Sequence, residues 1–286
     1  MRQGQESPAP DKGAGRQAAP MRLGLPEATE LSIDRGHGRG RPEVAAGVRP
    51  MRLLRQALTE VRRNSPWQMV KTLLAVIEDQ AFDWRYGVNT GGIMPLADLA
   101  IDSRHVAHGV HYAPTRVRYF RAVLRALSLP PGSVFVDLGA GKGRMLLLAA
   151  QSGCFRKVVG VEFSAELCRM AEQNIRRFEH YCAGNVTFEV VHADAADYEV
   201  QPDYNVFFMF NPFDHVVMQQ VMARVAQSLQ AAPRRIWLIC LGLRRGCPSI
   251  LAESGYKEAG RICYGSAKVS VFVNQVGGTG SRNDGQ

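Results

Sequence analysis

The chain has 286 residues, 46% of them hydrophobic, which is enough for one large α/β domain with appendages or for two small domains. Its net charge of +9 favours an acidic partner such as nucleic acid, although the basic residues, most of them arginine, are scattered and form no single tract. The six cysteines form no C-x-x-C pair, and no apolar run suits a transmembrane helix or a secretory signal, so we expect a cytoplasmic protein with free thiols.

Both ends of the chain differ in composition from its centre. Residues 1–50 are rich in Gly, Pro, Ala and Arg without apolar periodicity, which predicts a disordered tail, and residues 276–286 predict a flexible tail for the same reason. Residues 51–113 are expected to form an N-terminal helical cap region. Residues 114–275 are expected to form the main domain.

The first predicted elements precede the main domain. Residues 51–80 predict one or two helices, interrupted at Pro66, and "FDWRYGVNTGGIMPL" (82–96) is typical of a glycine-rich loop. The segment "PTRVRYFRAVLRALSL" predicts a helix that packs on a sheet. The following residues share its apolar side: Val117, Phe120, Val123, Leu124 and Leu127.

Strands and helices then alternate. Apolar runs predict strands at 134–138, 157–163, 186–194, 204–211 and 234–242, and helical patterns predict helices at 143–151, 164–178 and 214–230. This order predicts a parallel α/β sheet with helices on both faces. The runs 256–264 and 267–274 are close enough for a hairpin, which would add an antiparallel strand and bring the total to seven.

Three glycines follow the first strand of this domain, in "VFVDLGAGKGRM". They permit a tight turn and close approach of a ligand to the next helix. A dinucleotide fingerprint would read G-x-G-x-x-G, but here the spacing is Gly139, Gly141 and Gly143, with Arg144 in place of the last glycine. The spacing therefore favours a nucleoside ligand without a diphosphate.

Acidic residues end three consecutive predicted strands: Asp137, Glu162 and Asp194. Such residues meet at the carboxyl edge of the sheet, where open α/β sheets bind ligands. A carboxylate at Glu162 can accept hydrogen bonds from both hydroxyls of a ribose, and Asp194 can accept one from an exocyclic adenine amine.

With these motifs, the chain resembles the class I (Rossmann-like) S-adenosylmethionine-dependent methyltransferases, whose first motif is D-x-G-x-G-x-G. The resemblance covers residues 114–274 and implies a seven-stranded, doubly wound sheet with the last strand antiparallel. It also implies that Glu162 binds the ribose and that Asp194 and the Ala195 amide bind the adenine. Residues implied to line the methionine and ribose are Asp137, Gly139, Ala140, Gly141 and Gly143.

The fourth strand ends in "FMFNPFD", where the family places the methyl acceptor. Asn211 and Pro212 offer carbonyl oxygens to an amine, and Phe213 would wall it in. The match to amine methyltransferases with Pro-Pro-aromatic is partial; the motif is also similar to the "NNF" of non-SET histone-lysine methyltransferases. "HYAPTRVRYF" resembles the entry helix of small lysine methyltransferases. A plain strand end is the alternative interpretation.

A lysine acceptor must also lose a proton. The candidates to orient or accept it are Asp214, His215, Tyr86 and Tyr112. Three histidines, His105, His108 and His111, suggest a metal site, but no carboxylate or cysteine completes the set, and a cap loop over residues 82–115 is the preferred interpretation. No metal is predicted.

Several functions fit this sequence. The preferred one is an N-methyltransferase acting on a protein side chain, lysine-like. The alternatives are a nucleic-acid methyltransferase acting on an adenine amine, a small-molecule methyltransferase, and an inactive scaffold that binds S-adenosylmethionine without transferring its methyl group.

Overall fold

The computed structural model describes residues 66–99, 101, 103–106, 109, 111–182, 184–210, 213–264 and 267–275. The predicted tails, 1–50 and 276–286, and the predicted helix before Pro66 lie outside these residues. The helices with at least seven residues in the described part are α1 (Pro66–Tyr86), α2 (Val117–Ala126), α3 (Arg144–Gln151), α4 (Ala165–Phe178), α5 (His215–Ala231) and α6 (Cys247–Glu253). The strands are β1 (Ser133–Leu138), β2 (Phe155–Glu162), β3 (Thr187–His192), β4 (Val206–Phe210), β5 (Trp237–Leu241), β6 (Tyr256–Tyr264) and β7 (Ala267–Asn274).

The strands of the described residues form a seven-stranded sheet in the order β3-β2-β1-β4-β5-β7-β6. Strands β1 to β5 run parallel, whereas β7 is antiparallel to both β5 and β6. The chain order reverses between β1 and β4, and at such a switch point the strand ends open a crevice. The predicted Rossmann-like methyltransferase sheet with its antiparallel last strand is confirmed.

Two apolar cores cover the two faces of the sheet. On one face, α5, α6 and the 196–204 segment pack against β1, β4 and β5 around side chains such as Val136, Phe207 and Met218. On the other face, α1, α2, α3 and α4 pack around Phe120 and Phe135. Every residue of β1 is buried because this strand is central and covered on both faces.

The sequence prediction was wrong at two places. Residues 82–86 were predicted to be loop but continue α1, because Phe82 and Tyr86 bury their rings one turn apart against Phe178 on α4. The short helix α6 was not predicted, because it has only seven residues and carries a proline in its first turn. The described residues contain no helix long and apolar enough to span a membrane.

Candidate active site

A cleft with about 940 Å³ of empty space, including its open mouth, lies at the carboxyl edge of the parallel strands. The ends of β1, β2 and β4 and the segment after β3 form its floor, and residues 111–115 form part of its wall. The predicted site residues that line it are Asp137, Gly139, Ala140, Glu162, Asp194, Ala195 and Phe213. The strand order therefore brings together side chains that are up to 76 positions apart in the chain.

The three glycines after β1 have separate roles. All three have positive φ, but of these Gly139 lines the cleft. A Cβ at Gly141 would lie 2.2 Å from the Cε2 atom of Tyr112, so this glycine makes room for the ring of a cleft residue. Gly143 caps the N-terminus of α3 and packs closely on Ala171, to which a Cβ would come within 3.2 Å. Gly141 and Gly143 thus shape the loop but do not line the cleft.

Two buried carboxylates lie next to each other on the floor. Glu162 accepts hydrogen bonds from the backbone N–H of Gly141 (2.8 Å) and of Ser164 (3.0 Å). Asp137 is 3% exposed; its backbone is paired in the sheet, but its carboxyl group has no hydrogen-bond or ion-pair partner among the described residues. Burial, followed by the charge of Glu162, raises the pKa of Asp137 well above its ordinary value.

Burial also raises the pKa of Glu162, but the N–H groups of Ser164 and Gly141 oppose that shift by stabilising the charged form. When the pair carries one proton, we therefore assign that proton to Asp137 and the negative charge to Glu162. The floor of the cleft is then an acidic site that suits a cationic ligand.

The third acid, Asp194, is already hydrogen bonded on both oxygens. Its Oδ2 accepts from the Ser103 hydroxyl and from Nδ1 of His105 (2.9 Å), and its Oδ1 accepts from the Ala196 N–H (2.9 Å). Burial raises the pKa of Asp194, but the bonds from Ser103, Ala196 and His105 outweigh this, and its pKa lies below the ordinary value. Asp194 is therefore an ionised acceptor.

A buried network joins α1 to the start of α3. Arg144 is 3% exposed and lies 3.5 Å from Asp79 and 3.6 Å from Asp83, and its Nε donates to the Thr90 hydroxyl (2.6 Å). It also donates to the Thr115 carbonyl oxygen at 3.3 Å. The network fixes the N-terminal cap region against the glycine loop and one wall of the cleft.

The residues after α1 dock on the same glycine loop. The Lys142 ammonium donates to the Gly91 carbonyl oxygen (2.7 Å), and the Asn174 side chain on α4 donates to the carbonyl oxygens of Asn89 and Lys142 (both 3.0 Å). The Tyr112 hydroxyl donates to the Thr90 carbonyl oxygen (2.7 Å). These hydrogen bonds thus hold residues 87–92, which belong to the segment predicted as a cap loop, against the glycine loop after β1.

The predicted acceptor motif is only partly within the described residues. Phe213 is buried and lines the cleft together with Phe208 and Phe210, whereas Asn211 and Pro212 lie outside the described residues. Phe208 pairs with Asp137 in the β1–β4 register, so aromatic rings and carboxylates line the same cleft side by side. An aliphatic amine side chain can be partly desolvated beside such rings.

The candidates for handling a proton differ in position. Tyr112 lines the cleft, but burial raises the pKa of its hydroxyl, and it already donates to Thr90. Tyr86 is not among the cleft residues, because its ring packs on Phe178 and its hydroxyl accepts from Gln151. Asp214 caps α5 by accepting the Val216 N–H (2.9 Å). These contacts do not identify Tyr112, Tyr86 or Asp214 as a general base.

Two of the three histidines, His105 and His111, line the cleft, and His108 lies outside the described residues. His105 lies with Asp194 and Asp197, whose ligand atoms are within 4.8 Å of one another. Ser103 and Ala196 already donate to Asp194, and Arg104 pairs with Asp197 at 2.6 Å, so these acids serve protein contacts.

Several site residues were not found from the sequence. Ser103, Asp79, Asp83 and Thr90 gave no signal, because single polar residues in loops and helices carry no periodicity or motif. Arg144 was noted only as a departure from a dinucleotide fingerprint. Its position directly after Gly143, at the start of an otherwise apolar helix, was a usable signal for a buried, paired arginine.

Part of this chain is similar to known methyltransferases. Residues 105–233, which include all three strand-end acids, match the family model described as histone methylation protein DOT1. A protein-lysine N-methyltransferase of Saccharolobus islandicus (strain REY15A) is 36% identical over 73 residues, which are 26% of this chain and 45% of that protein. The chain thus matches less than half the length of this curated relative.

Similar solved structures have low identity and partial overlap. An S-adenosylmethionine-dependent methyltransferase from Aquifex aeolicus is 17% identical, with a TM-score of 0.42 over 54% of this chain and 88% of that chain. A ribosomal protein L11 methylase from Lactobacillus delbrueckii subsp. bulgaricus is 14% identical, with a TM-score of 0.41 over 55% of this chain and 75% of that chain. With the sheet order and the family match, the predicted resemblance to Rossmann-like S-adenosylmethionine-dependent methyltransferases is confirmed.

Proposed function

We propose that this protein binds S-adenosylmethionine in the strand-end cleft and transfers its methyl group to a side-chain nitrogen of a protein, with lysine as the acceptor. The observation that carries the proposal is the cleft itself. It is lined by three carboxyl groups, those of Asp137, Glu162 and Asp194, and by the aromatic rings of Phe208, Phe210 and Phe213.

The carboxylates fit the cofactor chemically. S-adenosylmethionine carries an ammonium and a sulfonium, and Asp137 is a buried carboxyl group without a partner among the described residues. A cation beside Asp137 favours its ionised form and offsets the burial that raises its pKa. Glu162 faces the same cleft as an acceptor for ribose hydroxyls, and Asp194 accepts the adenine amine.

The aromatic rings in the cleft lining support a lysine acceptor. Lysine is protonated in water, with a pKa of about 10.4, and an apolar site favours the neutral amine that can attack a methyl group. Phe208, Phe210 and Phe213 contribute apolar surface to the cleft. We propose that Asn211 and Pro212, which lie outside the described residues, orient the amine. The relatives support the same acceptor, since the matched family is named for histone methylation and the curated relative is a protein-lysine N-methyltransferase.

The bound cofactor supplies an electrophilic methyl group, so the protein needs no strong catalytic acid. Its residues hold the acceptor amine in line and exclude water. The Arg144 network and the contacts of Lys142 and Tyr112 fix the cap wall of the cleft. Desolvation lowers the pKa of the amine, which gives its proton to solvent water before the cleft encloses it; the neutral amine then takes the methyl group, and S-adenosylhomocysteine is the leaving group.

The test is a labelled-methyl transfer assay with the full chain and a lysate of methyl-depleted cells as acceptor. Label that disappears from the macromolecular fraction after protease, and appears in methyl-lysine after acid hydrolysis, supports the proposal. Label removed by nuclease identifies a nucleic-acid methyltransferase instead. Label only in small molecules, or cofactor binding without any transfer, contradicts a protein acceptor and favours a small-molecule enzyme or an inactive scaffold, respectively.

Variants at the acceptor end separate transfer from cofactor binding. Asn211→Ala is expected to bind S-adenosylmethionine like the wild type and to lose transfer, because the amine is no longer oriented. Gln201→Ala is the control, since its side chain lies outside the cleft lining. Full transfer by Asn211→Ala would mean that this motif only ends a strand.

A further inference from the structure

A short loop from the cap region, residues 103–106, binds the acid that faces the adenine end of the cleft. The Ser103 hydroxyl and Nδ1 of His105 both donate to Oδ2 of Asp194, and the His105 backbone N–H donates to the Ser103 oxygen at 3.0 Å. The loop and the acid are 89 positions apart in the His105 contact. The hydrogen bonds to Asp194 are therefore tertiary contacts and not part of a local turn.

The bonds use up most of the hydrogen-bonding capacity of Asp194. An ionised carboxylate has about four acceptor positions on its two oxygens. Oδ2 accepts two bonds, and Oδ1 accepts the Ala196 N–H. About one acceptor position then remains, on Oδ1, and its direction is fixed because the other three are occupied.

His105 is itself held in place. Its side chain is 10% exposed, and its Nε2 lies 3.4 Å from the amide nitrogen of Gln220 on α5. Since a carboxylate only accepts, the proton in the contact with Asp194 is on Nδ1 of the imidazole. The His105 ring therefore contacts Asp194 through Nδ1 and Gln220 of α5 through Nε2.

We propose that Ser103 and His105 are positioning residues that orient Asp194 as a single acceptor and so select a 6-aminopurine over a 6-oxopurine ligand. The proposal rests on the proposed cofactor site. A 6-amino group donates to the remaining position on Oδ1. A 6-oxo group would place a second acceptor against an ionised carboxylate that is not free to rotate.

Calorimetric titration of the full chain with two ligands tests this proposal. The probes are S-adenosylhomocysteine and its deaminated counterpart, S-inosylhomocysteine, which differs only in the purine ring. The wild type is expected to bind the adenosyl form about tenfold more tightly or better. Ser103→Ala and His105→Ala are expected to lose most of that preference, chiefly by weaker binding of the adenosyl form, because Asp194 becomes free to rotate.

Two variants serve as controls. His105→Asn keeps a donor near the position of Nδ1 and is expected to restore the preference. Arg104→Ala removes a neighbouring exposed ion pair with Asp197 and is expected to leave both affinities unchanged. The melting temperature of every variant is measured first, and the proposal is judged on the ratio of the two affinities, which general destabilisation does not change.

The outcomes distinguish this proposal from the proposed function. A wild type that prefers the adenosyl form, with variants that retain the full preference, overturns the role of Ser103 and His105 and leaves the cofactor site intact. Equal weakening of both ligands means that the loop merely covers the cleft, and it also overturns the proposal. A wild type that binds neither ligand overturns the proposed cofactor and this proposal with it.

Discussion

The carboxylate of Glu162 accepts the backbone N–H of Gly141 at 2.8 Å, so the acid at the end of β2 holds the glycine loop that follows β1. Its second oxygen accepts the Ser164 N–H at the start of α4. One side chain therefore links two parallel strands, a loop and a helix at the edge of the cleft. The neighbouring Asp137 has no such protein partner among the described residues.

This difference predicts opposite effects of two isosteric changes. In Glu162→Gln, one carboxylate oxygen becomes an NH2 group that faces a backbone donor, so one buried N–H loses its acceptor. We expect a loss of about 1–3 kcal/mol in the free energy of unfolding, measured by urea denaturation near neutral pH. Wild-type stability in this variant would mean that the loop does not depend on Glu162.

Asp137→Asn is expected to stabilise the free protein, and increasingly so as the pH rises. The folded-state pKa of Asp137 is raised. Its contribution to the free energy of unfolding is therefore fully present below the unfolded-state pKa and is lost as the pH rises through the folded-state pKa. Asparagine carries no charge to bury. Urea midpoints at about pH 5 and about pH 8 check this: the gain should be larger at the higher pH. A gain that is independent of pH would refute the assigned ionisation.

The fold was predictable because its signals are local. β1 and α3 are marked by apolar runs and glycines, and the strand-end acids Asp137, Glu162 and Asp194 mark the sheet edge. The contacts that complete the site were not predictable in the same way. Ser103 reaches Asp194 across 91 positions, and Gly141 accommodates the Tyr112 ring, which is a property of the assembled tertiary structure.

Removing the buried Arg144 charge is expected to destabilise the fold strongly. Arg144→Met removes the cation beside Asp83 and one of the two cations beside Asp79, which keeps its pair with Arg116 at 2.7 Å, and we expect a cost of about 1–3 kcal/mol in the free energy of unfolding. Arg156→Met, which removes an exposed pair with Asp203, is the matched control and should cost at most about 1 kcal/mol. Similar losses in the two variants would show that the buried network does not anchor α1.

The glycine at position 141 is expected to be needed for space as well as for its backbone conformation. Gly141→Ala places a Cβ at φ +55 and 2.2 Å from the Tyr112 ring, so the ring must leave the cleft wall. Gly153→Ala has a comparable φ of +71 with nothing within 4 Å and should cost only about 1–2 kcal/mol. Thermal unfolding compares the two variants, and an equal loss of stability would mean that Tyr112 moves freely.

Binding of S-adenosylmethionine in the cleft is the central claim, and calorimetric titration of the full chain tests it most directly. We predict micromolar binding of S-adenosylmethionine and S-adenosylhomocysteine, no binding of NADH, and loss of affinity for S-adenosylmethionine in Asp137→Asn although that variant is folded. The bound cation restores the charge of Asp137, so S-adenosylmethionine should also bind more weakly as the pH falls below the raised pKa of this group. Absence of binding to the wild type, or unchanged affinity in Asp137→Asn, would contradict the account.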